Sequence, residues 1–180
     1  MEANILLWVQ ENLRYEWLDP IVKAITNTGY FIWVILALWF LINKNSRKLG
    51  IVTSVSLVYN LLLVNLVLKN IIGRTRPYEV IEGLVSIVGE QSDKSFPSGH
   101  TSIAFAFVAV LWFMSSKKIS VPLTILAALI SFSRVYIGVH YPTDILGGVV
   151  FGILCAIFAI WTIKFVENKI SNKSNKKEAF

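Results

Sequence analysis

The chain has 180 residues, 55% of them hydrophobic and only 16% charged, with a mean hydropathy of +0.63. Soluble domains carry roughly 25% charged residues, so this composition excludes an ordinary soluble globule and a disordered chain alike, and the length allows one domain. A net charge of +6 would point to nucleic acid in a soluble protein, but in so apolar a chain it reads first as a topology signal.

In the first 19 residues, Ile5, Leu6, Trp8, Val9, Leu13, Trp17 and Leu18 are interleaved with Glu2, Glu11, Arg14, Glu16 and Asp19. The pattern predicts an amphipathic helix lying on a membrane surface. It lacks the basic start and cleavage site of a signal peptide. An irregular sixth span is the alternative for this segment.

Five apolar runs follow, at 24–42, 49–68, 97–116, 119–133 and 145–163; the third carries His100 near its start and the others carry no charge. A hydrocarbon core of roughly 30 Å takes about 20 helical residues to cross. Backbone polar groups in lipid must be satisfied within the segment, so all five are expected to be helices. The expected fold class is therefore all-α: a polytopic transmembrane helical bundle of five spans (six possible) with an N-terminal amphipathic surface helix. One domain covers 1–180, with the surface helix at 1–19, the bundle at 20–166 and a basic tail at 167–180. Cys155, the one cysteine, lies within an apolar run and reads as packing; alone it excludes an internal disulfide framework and a Cys-rich zinc site. Gly148 and Gly152, four apart, mark a face of the last span where a neighbouring helix can come close.

Five spans put the termini on opposite sides. The connections at 43–48 and 117–118 and the tail from Lys164 onward share one side, with 10 Lys and Arg against 2 acids. The other side has 7 basic residues against 9 acids. The basic side is expected to be cytoplasmic.

The polar residues left over fall into three short segments on the opposite, outer side. The first runs from Lys69 through Arg74 to Arg76-Pro77, the second is Pro97-Ser98-Gly99-His100, and the third runs from Ser133-Arg134 through His140 to Asp144. Ionisable groups at membrane depth are costly and mark functional sites. Lys69, Arg76 and Arg134 supply fixed positive charge, and an arginine fork matches phosphate oxygens. Ser98-Gly99 at a helix start brings backbone N–H groups and a positive dipole end to the same place. Asp144 stands four residues after His140, within reach of an imidazole hydrogen bond that fixes the tautomer and leaves the other nitrogen free to attack. His100 is then available as a proton donor. Taken singly, each feature has a plainer meaning: lipid-headgroup anchors, a helix cap, a loop-stabilising pair. Their joint occurrence on the outer face, against the usual charge bias, points to phosphoryl transfer through a phosphohistidine. Two histidines and one carboxylate make a thin metal-ligand set.

These segments resemble the signature of the type-2 phosphatidic acid phosphatase superfamily: Lys, six residues, Arg-Pro; Pro-Ser-Gly-His; Ser-Arg, five residues, His, three residues, Asp. The match runs through Lys69, Arg76-Pro77, Pro97 to His100, Ser133-Arg134, His140 and Asp144 without departure in type or spacing. The resemblance implies that His140 is the nucleophile, Asp144 its partner, and His100 the acid that protonates the leaving group and later activates water. It implies a phosphate-binding set of Lys69, Arg76, Ser98, Gly99, Ser133 and Arg134, with no metal or other cofactor. Arg74 lies outside the strict pattern and is placed at the substrate rim. Members usually have six spans, so five and a surface helix depart mildly from the family.

The expected function is metal-independent hydrolysis of a lipid phosphate or diphosphate at the outer face of a bacterial cell membrane: undecaprenyl diphosphate, phosphatidylglycerol phosphate or phosphatidic acid. The expected partners are that lipid and the bilayer, not nucleic acid. A phosphotransferase using the same histidine and a non-catalytic lipid transporter or scaffold are the rival readings.

Overall fold

The computed structural model describes residues 1–178, with side chains described as far as Lys173; the last two residues of the expected 167–180 tail lie outside it. Every regular element among the described residues is helical. In chain order they are α1 (Glu2–Leu13), α2 (Asp19–Thr28), α3 (Phe31–Ile42), α4 (Arg47–Asn60), a π-helix (Leu61–Leu68), α5 (Lys69–Ile72), α6 (Pro77–Val80), α7 (Gly99–Met114), α8 (Lys117–Tyr136) and α9 (Pro142–Glu178).

Three helical stretches, Arg47–Val80, Lys117–Tyr136 and Pro142–Lys173, are long and apolar enough to cross a membrane. The pair α2 and α3 makes a fourth if counted as one span, bent by 42°. The run at 24–42 is therefore not the unbroken helix its composition suggests. It breaks at Gly29-Tyr30, where a methyl group on Gly29 would fall 2.9 Å from Ile130 Cγ2, so the chain turns hard against α8. The third apolar run, 97–116, forms α7, only 16 residues long.

α7 is the axis of the bundle. It packs on α9, α8 and α4, and the face of nearly every residue from Gly99 to Leu111 is covered. A helix apolar all round belongs inside, and Ala104, Ala106 and Ala109 let its neighbours approach. The closest approach is to α9: a Cβ on Gly152 would sit 2.5 Å from the Ser102 carbonyl oxygen, and one on Gly148 2.9 Å from that of Ser98. Trp33, Phe40, Phe107, Leu111 and Ile130 fill the space between α3, α7 and α8.

Polarity is inverted relative to a soluble bundle. Ile35, Leu38, Leu62, Leu66, Leu129, Phe132, Leu154 and Phe158 face outward, while Thr53, Ser56 and Asn60 are fully buried between helices. Ser56 Oγ donates to the Ala106 carbonyl at 2.9 Å, and Ser102 Oγ to Asn60 Oδ1 at 3.3 Å. These are the interhelical hydrogen bonds that hold helices together where lipid offers no hydrophobic drive.

One end of the bundle carries the short turns α3–α4 and α7–α8 and the Lys48–Glu167 ion pair at 2.7 Å. The other end carries the long connection from Gly73 to Ser98 and the α8–α9 turn. α1 lies across that second end. Its Leu6 and Val9 pack on Leu84 and Val135, with Ile5 and Trp8 exposed. The helix is shorter than the expected 1–19 segment, because Arg14 leaves helical geometry and its side chain donates to the carbonyls of Tyr136 at 2.6 Å and Val85 at 2.7 Å.

Candidate active site

Three helix ends meet at the α1-covered end of the bundle. The helix that begins at Arg47 stops just after Lys69, because Gly73 takes a left-handed conformation at φ +62°. α7 starts at Gly99 with Ser98 as its N-cap; the Ser98 hydroxyl accepts from the Thr101 amide at 3.5 Å and hydroxyl at 3.1 Å. α8 ends just beyond Arg134, and the turn 137–141 carries His140 to the start of α9, where Asp144 lies in the first turn.

Between them is a cavity of about 70 Å³, the room of about two waters at ~30 Å³ each. Lys69, Arg76, Gly99, His100, Arg134 and His140 line it, so six of the residues singled out in three separate segments converge. Gly99 belongs here for want of a side chain: a Cβ would lie 3.1 Å from Asn65 Oδ1. Lys69, Arg76 and Arg134 are all buried, at 4%, 2% and 4% exposure. Arg76 is fixed by Nη1 donating to the Val139 carbonyl at 2.9 Å, and the same nitrogen lies 3.5 Å from His140 Nε2. Arg134 Nη1 donates to Thr26 Oγ1 at 2.6 Å, whereas its buried Nε has no partner. Three buried cations at one small cavity, with a single carboxylate, Asp93, shared between two of them, describe a place for an anion, since buried charge without full counter-charge is expensive.

Behind His140 stands Asp144, with no exposed surface. Its Oδ2 accepts from Ser95 Oγ at 2.5 Å and the Tyr141 amide at 2.9 Å, and lies 3.3 Å from His140 Nδ1. That contact keeps the proton on Nδ1, so Nε2 presents a lone pair on the cavity side. Burial drives the His140 imidazole down to about 3; Arg134 and Arg76 push the same way and Asp144 opposes them. His100 packs edge-on against Tyr30 with ring centroids 4.9 Å apart, and Asn65 Nδ2 donates to the Tyr30 hydroxyl at 2.7 Å.

Four of the singled-out residues lie outside the lining, Asp144 behind His140 being the first. Ser98 acts as the cap, and its amide donates to the Asp144 carbonyl at 3.0 Å. Ser133 Oγ donates back to the Ile130 carbonyl at 2.6 Å. Arg74 lies against the far side of Asp144, not at the cavity rim. Conversely, Asp93 was not among the candidates, yet its carboxylate bridges Lys69 and Arg76. Burial alone would raise its pKa, but Lys69 and Arg76 outweigh burial and hold the carboxyl at about 2. Tyr30, Asn65, Gln91 and Ser95 join the site as well, although Asn65 within its apolar run reads from sequence as a helix-packing hydrogen bond. Asn65, four residues before Lys69 on a continuous helical run, is the one whose spacing signalled it. Among the described residues no group of three or more His, Cys, Asp or Glu side chains is placed to hold a metal ion.

Comparison with known proteins matches residues 50–168 to the model of the PAP2 superfamily. The chain belongs to the PAP2 superfamily. It is 32% identical over 139 residues to the undecaprenyl-diphosphatase BcrC of Bacillus subtilis, covering 76% of this chain and 70% of that protein. It is 26% identical over 181 residues to the bacitracin transport permease protein BcrC of Bacillus licheniformis, covering 91% and 89%. Among solved structures it resembles the PAP2-type phosphatidylglycerolphosphate phosphatase of Bacillus subtilis, with a TM-score of 0.74 and 26% identity over 92% of this chain and 85% of that one. This PAP2 protein is thus an integral membrane phosphatase acting on lipid phosphates.

Proposed function

We propose that the chain hydrolyses a lipid phosphate or diphosphate through a phosphohistidine on His140 and releases inorganic phosphate at the outer face of a bacterial cell membrane. The observation that carries this reading is the cavity itself: His140 Nε2, His100 and three buried cations face one phosphate-sized space.

In the first step the phosphoryl group sits between Lys69, Arg76, Arg134 and the first-turn amides of α7. Ser98 and Ser133 shape the backbone that presents this set. His140 Nε2 forms a bond to phosphorus as the bond to the leaving oxygen breaks, and His100 gives that oxygen a proton. Asp144 holds the Nδ1 proton and balances the charge growing on the ring. In the second step His100 takes a proton from water, the water oxygen attacks phosphorus, and the N–P bond breaks. The cations act chiefly on the charge of the five-coordinate state.

The charge distribution supports five spans, with the cavity outside and the C-terminus inside. α7 serves as a short span because its neighbours, not lipid, surround it. The exposed Ile5 and Trp8 of α1 suit a helix resting in the headgroup layer. A groove of about 320 Å³ between α3, α4 and α7 shares Tyr30 and Asn65 with the cavity and is otherwise lined mainly by apolar residues such as Val34, Leu38, Leu57 and Val58. The hydrocarbon chain of the substrate lies there while its headgroup enters the cavity. Undecaprenyl diphosphate and phosphatidylglycerol phosphate, named in the relatives, are the favoured substrates, and phosphatidic acid a third.

The name of one relative favours a transport reading. Against it, Thr53 and Ser56, two of the buried polar groups within the spans, are spent on the Leu49 and Ala106 carbonyls. The test is phosphate release from a panel of lipid phosphates and diphosphates by detergent-purified protein. Turnover without an added acceptor supports hydrolysis. Binding of every lipid without release refutes it, and release only with an acceptor identifies a phosphotransferase.

A further inference from the structure

We infer that Arg74 and Glu2 are a positioning pair for Asp144, so that α1, which lies outside the family-matched region, completes the catalytic apparatus; this rests on the reading of His140 as nucleophile. Arg74 Nη1 donates to Asp144 Oδ1 at 2.7 Å and to Thr143 Oγ1 at 2.7 Å. Its Nη2 donates to Glu2 Oε2 at 2.8 Å. The other oxygen of Glu2 accepts from the Thr143 amide at 3.1 Å and hydroxyl at 2.6 Å. The guanidinium lies over the Tyr141 ring, 3.8 Å from its centroid. Glu2 and Arg74, paired with each other, therefore hold the first turn of α9 together at Thr143 and Asp144.

The geometry separates two jobs on one carboxylate. Oδ2 faces His140, Ser95 and the Tyr141 amide, and Oδ1 faces Arg74. With both oxygens held, the carboxylate plane cannot rotate, and the Nδ1 proton of His140 keeps its acceptor as the ring gains positive charge. Glu2 has an electrostatic share in this. An arginine paired with Asp144 alone would cancel the negative charge the imidazolium needs. Divided between two carboxylates, the guanidinium orients Asp144 without neutralising it. Arg74 does not line the anion cavity, so its influence reaches phosphorus only through Asp144 and His140.

Kinetics of Arg74→Ala, Arg74→Lys and Glu2→Gln on a short-chain lipid phosphate test the pair, with His140→Ala as reference. Outer partners of an oriented imidazole command about 10–100-fold. Arg74→Ala is expected to lose about that much in kcat with KM within about twofold, Arg74→Lys to regain part of it, and Glu2→Gln to lose severalfold. On an Asp144→Asn background, Arg74→Ala should cost little more, because it acts through that carboxylate. A raised KM at unchanged kcat would place Arg74 on the substrate and overturn the inference. The same loss with and without Asp144 would do so too. Glu2 sits at a part-exposed helix end, so Glu2→Gln keeps the test alive if Arg74→Ala does not fold, and a wild-type rate for Glu2→Gln removes α1 from the site. An inactive His140→Ala beside wild-type Arg74 and Glu2 variants refutes the pair alone, whereas an active His140→Ala refutes the reading beneath it.

Discussion

Arg76 grips Asp93 twice: Nη2 meets carboxylate Oδ1 at 2.5 Å, and Nε donates to the backbone oxygen at 2.9 Å. With Lys69 on the other carboxylate oxygen, Asp93 presents an anion to two of the cations a phosphate would use. Substrate must displace it or share with it.

Asp93→Asn should therefore bind inorganic phosphate and vanadate more tightly. Hydrogen bonds to charged groups contribute roughly 1.5–3 kcal/mol, and the half-exposed carboxylate is discounted for screening, so about a tenfold gain is expected. Without ligand, the variant should unfold at lower temperature than wild type, because Lys69 and Arg76 lose their counter-charge. With phosphate, its melting temperature should rise by more than that of wild type. Weaker vanadate inhibition in the variant would show that Asp93 builds the site and does not compete for it.

His140→Ala should abolish turnover and leave the helical bundle intact. Its ring lies at a cavity wall, and Asp144 keeps Ser95 and the Tyr141 amide as donors. The checks are phosphate release, acid-quenched trapping of labelled phosphoenzyme, and circular dichroism. His100→Ala should slow phosphoenzyme formation less for diphosphates, whose leaving group needs little help from a proton, than for monoesters. Equal losses on both would remove His100 from the proton-donor role.

Much of this site was legible in the chain because its chemistry sits at helix ends with rigid spacing. Four residues from His140 to Asp144 span one turn, and Ser98 caps the helix that bears His100. Parity of spans then puts all three segments at one end. Asp93 was not legible, since it lies in the connection 73–98, where no periodicity says which side chain turns back onto Lys69. Glu2 acts on Thr143 across nearly the whole chain, a contact only packing creates. The π-helix at Leu61–Leu68 was hidden because a run apolar on every side, LLLVNLVL, has no face from which to read a turn. The break at Gly29-Tyr30 was hidden because the run remains apolar through it.

Gly152→Ala tests the packing that holds the two histidine-bearing ends in register. The added Cβ would meet Ser102 O at 2.5 Å and Ala106 N at 2.9 Å, both backbone atoms of α7 that no rotamer change can move. Overpacking of this kind costs about 1–3 kcal/mol, which for a chain of this size lowers the melting temperature by about 2–4 °C per kcal/mol. Because α7 and α9 carry His100 and Asp144, kcat should fall as well. A thermal-shift assay in detergent reads the first effect and phosphate release the second. Unchanged values of both would mean that the helices are farther apart than this contact requires.

The buried His140 makes a prediction of definite sign. Burial takes the imidazole from an ordinary 6.5 down to about 3, reinforced by Arg134 and Arg76 and opposed by Asp144. Between those values the unfolded chain binds a proton that the folded chain refuses, so stability rises with pH across the window. The contribution of His140 is fully present above pH 6.5 and is lost progressively as the pH falls towards 3. The chain has two histidines, so His100→Gln leaves one imidazole to observe. Its carbon-13 shift should stay that of a neutral ring from pH 8 to pH 5, while the melting temperature declines below pH 6.5. A midpoint near 6.5 in that shift would mean that water reaches the ring, and that His140 does not stand in a sealed site with its attacking nitrogen held free of a proton.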